Sequence, residues 1–177
     1  MKALLIIDMQ RGCFRPYESR YDTAGVISRI NELSDKFRKR NYPVIFIRHD
    51  GTSENELIPH SDDWKLLPEL TTLPGDLFFD KTANDSFYRT ELEGFLKAES
   101  IDELYITGAA TDFCIDVTVK SALNKDYKVC VLSDCHTTED KENLTARLLI
   151  EHYNWIWSAL APAKHKVRVI KSSEVVF

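Results

Sequence analysis

The sequence predicts a three-layer α/β/α sandwich built on a mainly parallel sheet of about six strands. Three observations lead there. Short apolar runs recur along the chain and are near-continuous rather than alternating, as in strands buried on both faces. Segments with apolar residues at helical spacing lie between them. The small-residue junction Gly108-Ala109-Ala110 turns one apolar run directly into a helical pattern. With 177 residues, 44% of them hydrophobic, the chain supports one sizeable core, and a single domain over 1–177 is expected.

Taken in order, Ala3 to Ile7 is the first buried strand. Thr23 to Asn41 is a helix with Val26, Ile27, Ile30, Leu33 and Phe37 on one face. Pro43 to Ile47 is the second strand. The stretch from His49 to Pro74 is polar, holds three of the six prolines and has no clear periodicity. So long a loop in a compact domain is usually functional, here as part of a substrate pocket or an oligomer contact. Leu77 to Phe79 is a short strand. Thr90-Glu91-Leu92-Glu93 has the capping-box pattern and opens a helix to about Glu99. Glu103 to Thr107 is a strand, Cys114 to Asn124 a helix, and Lys128 to Leu132 a strand. Asp140 to Leu160 is a long helix and Val167 to Ile170 the last strand.

Charge and composition narrow the function. The net charge of −5 is mild, and the densest cationic run, Lys36 to Arg40, falls at a helix C-terminus where cations suit the dipole. Nucleic acid is not an expected partner. The apolar start, Ala3 to Ile7, stops at Asp8, too short for a signal peptide or a membrane span, and no other segment is long enough. No membrane association and a cytoplasmic location are expected. The four cysteines, Cys13, Cys114, Cys130 and Cys135, form no C-x-x-C pair and read as free thiols.

Cys114 stands at a strand–turn–helix junction. Unpaired N–H groups and the positive helix end there favour thiolate and suit an oxyanion. In open parallel sheets the ligand crevice lies beyond the C-terminal strand ends. Asp8 ends the first strand there, and Lys81 follows Phe78-Phe79-Asp80. A carboxylate beside a thiol can take its proton and return it to a leaving group, while a lysine holds negative charge in place. Taken singly, each has an ordinary structural role: Asp8 as a turn residue, Cys114 as a small hydrophobe, Lys81 as a surface lysine. Their convergence at three strand ends carries the functional reading.

Several motifs resemble those of the isochorismatase-like cysteine hydrolases. Leu5-Ile6-Ile7-Asp8-Met9-Gln10 with Phe14 is similar to their opening motif. Asp80-Lys81, then Ser86-Phe87 and Thr90-Glu91-Leu92, resemble their lysine segment. Thr107 to Ile115, with Thr118 and Ala122, resembles their nucleophile motif, and Asp134-Cys135-His136 a later stretch. The resemblance implies Cys114 as nucleophile, Asp8 as general base and acid, and Lys81 as electrostatic partner. It also implies a non-proline cis peptide at Ala109–Ala110, which aims the Ala110 N–H, with that of Cys114, at the substrate oxygen.

The chain departs from the nicotinamidases of that family, which bind a metal through Asp-x-His. Here the stretch reads Arg48-His49-Asp50-Gly51-Thr52; His49, Asp50 and His60 offer at most a partial metal site, and the preferred reading is polar loop residues with His49 near the pocket. No metal and no cofactor are expected. Gln10, Phe14, His49, Trp64, Phe87, Phe113 and His136 are expected around the substrate, since small-molecule sites are largely apolar with a few polar groups. Cys130 is a core residue. Cys13 and Cys135 lie near the pocket without a base. His152 and His165 are surface residues. Trp155 and Trp157 face different sides of the last helix, one in the core and the other a dimer contact, so a homo-oligomer, dimer or larger, is expected.

The resulting expectation is hydrolysis of a small-molecule amide or related C–N bond through a thioester. Two rivals remain. One is isochorismatase-type cleavage of a vinyl ether on the same fold. The other is a non-enzymatic receiver-like signalling domain, which uses Asp and Lys at strand ends but normally carries an acidic pair where this chain has Asp8-Met9-Gln10.

Overall fold

The computed structural model describes residues 1–161 and 164–177. Six strands form one parallel sheet in the order β3-β2-β1-β4-β5-β6. They are β1 (Lys2–Ile7), β2 (Val44–His49), β3 (Leu77–Lys81), β4 (Glu103–Ala109), β5 (Lys128–Thr137) and β6 (Arg168–Ile170). Among the described residues four α-helices cover it: α1 (Thr23–Arg38), α2 (Leu92–Ala98), α3 (Asp116–Asn124) and α4 (Ala146–Ala159).

The period-2 geometry of a strand divides the core in two. Ala3, Leu5 and Ile7 of β1 pack with Leu92 and Leu96 of α2, Val119 of α3 and Trp157 of α4. Leu4 and Ile6 face the opposite side, against Val26, Ile27, Ile30, Leu33 and Phe37 of α1. The 3.6-residue spacing in α1 thus fills one layer, and three helices fill the other. Among the described residues no helix is long and apolar enough to cross a membrane.

Strand order reverses direction at β1, between β2 and β4, which makes a topological switch point with its crevice beyond the strand C-termini. Gly108 makes the close β1–β4 approach possible. It sits at φ +116°, and a Cβ there would lie 2.1 Å from the Ile7 carbonyl oxygen.

Several element ends differ from the sequence expectation, and four of the differences matter most here. β3 extends two residues past Phe79, so Lys81 is the last strand residue rather than part of a following loop. β5 runs to Thr137 through an irregular register opposite β4, so Cys135 and His136 are buried strand residues instead of loop residues. The capping box at Thr90 does not form. Thr90 Oγ1 donates to the Ser86 carbonyl at 2.7 Å, and the helix starts two residues later, without a side-chain cap. The last long helix begins at Ala146, capped by Thr145, while Lys141 and Leu144 form a separate bridge.

Candidate active site

Three strand ends deliver three side chains to one point. Asp8 follows β1 in the left-handed region, φ 50°, and is 4% exposed. That conformation suits Asp better than most residues, and it turns the carboxylate toward β3. Lys81, 1% exposed, places Nζ 2.8 Å from Asp8 Oδ2 and 3.3 Å from Cys114 Sγ. A third donation, to the Ala83 carbonyl at 3.0 Å, fixes the ammonium. The 82–90 loop behind it is clasped to α3, where Ser86 Oγ and Thr118 Oγ1 are 2.9 Å apart and Ser121 donates to Asp85 at 2.8 Å. The Ser86 and Thr118 positions singled out in the sequence therefore brace the lysine segment.

Cys114 lies in a wide turn, Thr111–Ile115, that precedes α3. Its bonds span five residues, Ile115 N–H donating to the Ala110 carbonyl at 3.1 Å, and such turns are frequent at functional sites. The Ala109–Ala110 peptide is cis. Among the described residues the Ala110 N–H donates to no backbone carbonyl. Asp8 Oδ1 is likewise buried without a partner. Asp8 and Ala110 both line the cavity that holds Cys114.

The electrostatics correct the sequence reading of the thiol. Burial, joined by the Asp8 carboxylate, pushes the Cys114 pKa up to about 12 despite the opposing pull of Lys81. Desolvation and a like charge both favour the neutral thiol over the thiolate in the resting site. Burial acts to lower the Lys81 pKa, but Asp8 and Cys114 reverse that and hold it above the usual lysine range. The resting centre is therefore a thiol beside a carboxylate–ammonium pair, an arrangement that can move a proton from sulfur to oxygen as a bond forms.

The cavity measures about 190 Å³ and is lined by Asp8, Cys114, Ala109, Ala110, Phe113 and His49 among others. His49 Nδ1 is 3.5 Å from Lys81 Nζ, and burial and the ammonium lower its pKa. His49 does not join Asp50 and His60 in one cluster. Asp50 accepts from Thr52, and His60 packs on Trp64.

Five expected pocket residues lie outside the lining. Gln10 is fully buried behind it, with Nε2 donating to the carbonyls of His49 and Trp64 at 3.0 Å each and Oε1 accepting from the His49 N–H at 2.7 Å. Phe14 is core on the α1 side. Trp64 lies under the Arg48 guanidinium at 3.8 Å. Phe87 stacks on Tyr127 in the opposite layer. His136 is 1% exposed, held between Thr111 Oγ1 at 2.9 Å and Asn154 Oδ1 at 3.0 Å, and burial pushes its pKa down to about 4. In their place stand Cys13, Arg20, Leu57 and Asn84. Asn84 Oδ1 is 3.5 Å from Cys114 Sγ. These come from loops whose path carries no periodic signal. Cys13 agrees with the sequence expectation of a thiol near the pocket, and Asn84, three residues past Lys81, is within reach of a sequence argument. Of the two tryptophans, Trp157 is fully buried and donates to Asp116 at 3.0 Å, while Trp155 is 64% exposed.

A thiol, a carboxylate and an ammonium meet at the switch point of an open parallel sheet, an arrangement suited to nucleophilic chemistry. The isochorismatase domain model matches residues 2–154. The chain belongs to the isochorismatase family and is a hydrolase. A crystal structure of an isochorismatase family protein superposes with a TM-score of 0.87 at 31% identity, covering 96% of this chain and 98% of that one. Streptothricin hydrolase of Streptomyces noursei is 28% identical over 140 residues, 79% of this chain and 51% of that protein. A ureidoacrylate amidohydrolase of Cronobacter turicensis is 38% identical over 101 residues, 57% of this chain and 44% of that protein. The chain thus spans about half the length of these curated relatives.

Proposed function

We propose that this hydrolase is a cysteine amidase acting on a small-molecule amide or related C–N bond through a thioester. The observation that carries the reading is the Lys81 ammonium, 2.8 Å from Asp8 and 3.3 Å from Cys114. A relative named as an amidohydrolase supports amide chemistry.

Asp8 takes the thiol proton as Cys114 Sγ attacks the carbonyl carbon, so no free thiolate need accumulate. The Ala110 and Cys114 N–H groups stabilise the oxyanion. Asp8 then gives the proton to the departing nitrogen, which leaves an acyl thioester. A water deprotonated by Asp8 attacks that ester, and the acid and the thiol are released. Lys81 keeps its charge throughout and offsets the negative charge passed among the three groups. The reading extends to a cytoplasmic homo-oligomer of single domains, with exposed Trp155 at a contact.

Ammonia release from a panel of small amides, with Cys114→Ala as control, tests the reading. Intact mass after acid quench should show the acyl adduct on Cys114. Hydrolysis by Cys114→Ala at the wild-type rate would overturn it, and pyruvate release from isochorismate without any amide turnover would assign the vinyl-ether chemistry instead.

A further inference from the structure

Arg20 precedes α1 and is held from several sides. Its Nε donates to the Cys13 carbonyl, its own carbonyl accepts from Thr23 Oγ1 at 3.1 Å, and its main chain bridges Glu139. The guanidinium carbon lies 5.1 Å from the Phe14 ring centroid. Yet its terminal NH1 is buried with no acceptor, and among the described residues Arg20 makes no ion pair. Two of the neighbouring carboxylates are otherwise engaged, Asp63 with Arg15 at 2.7 Å and Glu139 with Lys141 at 3.3 Å, while Glu56 lines only the wider cavity beyond. A buried donor left unpaired is costly, and a native structure that keeps one needs an explanation.

Position supplies one. Arg20 lines the 190 Å³ cavity that holds Cys114 and also an adjoining cavity of about 450 Å³, the two sharing Cys13, Arg20 and Leu57. The guanidinium therefore stands at the passage between the nucleophile and a wider, more polar space. Asp8 is already countered by Lys81 at 2.8 Å, so in the lining of the smaller cavity the charge left without an ion pair is the arginine's.

We infer that Arg20 forms a subsite for a carboxylate of the substrate, so that the substrate class is a small amide carrying a carboxylate group. This deepens the amidase reading and rests on it for the word amide. A planar guanidinium presents paired N–H donors that match a carboxylate, and its fixed stem means little side-chain freedom is lost on binding.

The test uses electrophiles that report on the subsite without turnover. Cys114 in the full-length protein is alkylated with iodoacetate and iodoacetamide, and with 3-maleimidopropionate and its primary amide. Rates come from peptide mass mapping of wild type, Arg20→Gln and Arg20→Lys. The acid-to-amide rate ratio should fall about tenfold or more in Arg20→Gln for at least one reagent pair, the range open to a charge-assisted hydrogen bond, and Arg20→Lys should recover part of it. Equal ratios in wild type and Arg20→Gln for both pairs overturn the inference. A ratio that falls as expected in a protein that hydrolyses no amide keeps the carboxylate subsite and removes the amidase reading. In the amidase assay the same contact should appear mainly as a higher KM for carboxylated amides in Arg20→Gln.

Discussion

Removing the Lys81 ammonium tests the buried pair most directly. Lys81→Met keeps the length of the side chain and deletes its charge. The lost group is 0% exposed and its partner Asp8 only 5%, so solvent cannot replace it. Breaking a buried ion pair on one side costs about 3–5 kcal/mol, because the remaining charge is stranded. Asp8 Oδ1 already lacks a protein partner, so Lys81→Met would leave both carboxylate oxygens without a close cation. The expected loss therefore sits at the upper part of that range. Asp8→Asn on the Lys81→Met background removes the stranded charge and should restore about 2 kcal/mol or more. Urea denaturation of wild type, both single variants and the double variant closes the cycle. Activity should show the same coupling: Asp8→Asn alone should cost on the order of 10²–10⁴-fold, and the double variant should be little worse. Stability losses that add and rate losses that multiply would refute the pairing and separate Asp8 and Lys81 into independent sites.

Other expectations follow from single features. The Cys114 thiol, held up to about 12, should alkylate faster as pH rises, about tenfold per unit from 7 to 9; a plateau below pH 8 would mean a stable thiolate instead. Among the four cysteines, Cys114 should label first with limited iodoacetamide, since Lys81 donates to its sulfur while Cys130 and Cys135 are fully buried. His136, its pKa pushed down to about 4 by burial, stays neutral when folded but takes a proton when unfolded below about 6.5. Stability should thus fall as pH drops from about 6.5 toward 4, by on the order of 3 kcal/mol, and His136→Gln should flatten that slope in urea titrations. Gly108→Ala would force a Cβ onto the Ile7 carbonyl and should destabilise by more than about 3 kcal/mol, read as loss of soluble folded protein.

The sequence shows why the scaffold is legible and the pocket wall is not. Strands such as Ala3–Ile7 and Glu103–Thr107 are named by unbroken apolar runs, because a sheet covered on both faces needs them. Asp8, Lys81 and Cys114 stand out because the same runs place them at strand ends. The structure brings these three together within hydrogen-bonding reach of Lys81. The extent of β5 is different. Its register slips opposite β4 after Ile106, and polar Ser133 and Asp134 interrupt the apolar pattern, so no periodicity marks Cys135 or His136 as strand. Aromatic character alone also misleads: Phe14 and Phe87 are drawn into the two cores, and Trp64 is buried between Arg48 and His60, before they can wall a small cavity. Arg20 and Leu57 reach the site through loop closures set by contacts distant in sequence, such as Arg20 with Glu139.

The wide turn at Thr111–Ile115 carries a consequence for how such a site can change. Each helical residue advances about 100° around the axis, so the direction of a side chain and the packing of the helix after it are normally locked together. A turn closed by five-residue bonds breaks that lock. Ile115, Val119, Ala122 and Leu123 keep their seats in the core, while Cys114 packs at the edge of that core and lines the crevice. The aim of the sulfur and the anchoring of α3 thus become separate variables. Substitutions on the buried face of α3 can be absorbed by repacking without turning the nucleophile away, and the loops around Leu57 and Arg20 can be remodelled for a different substrate around a sulfur whose bearing is set elsewhere.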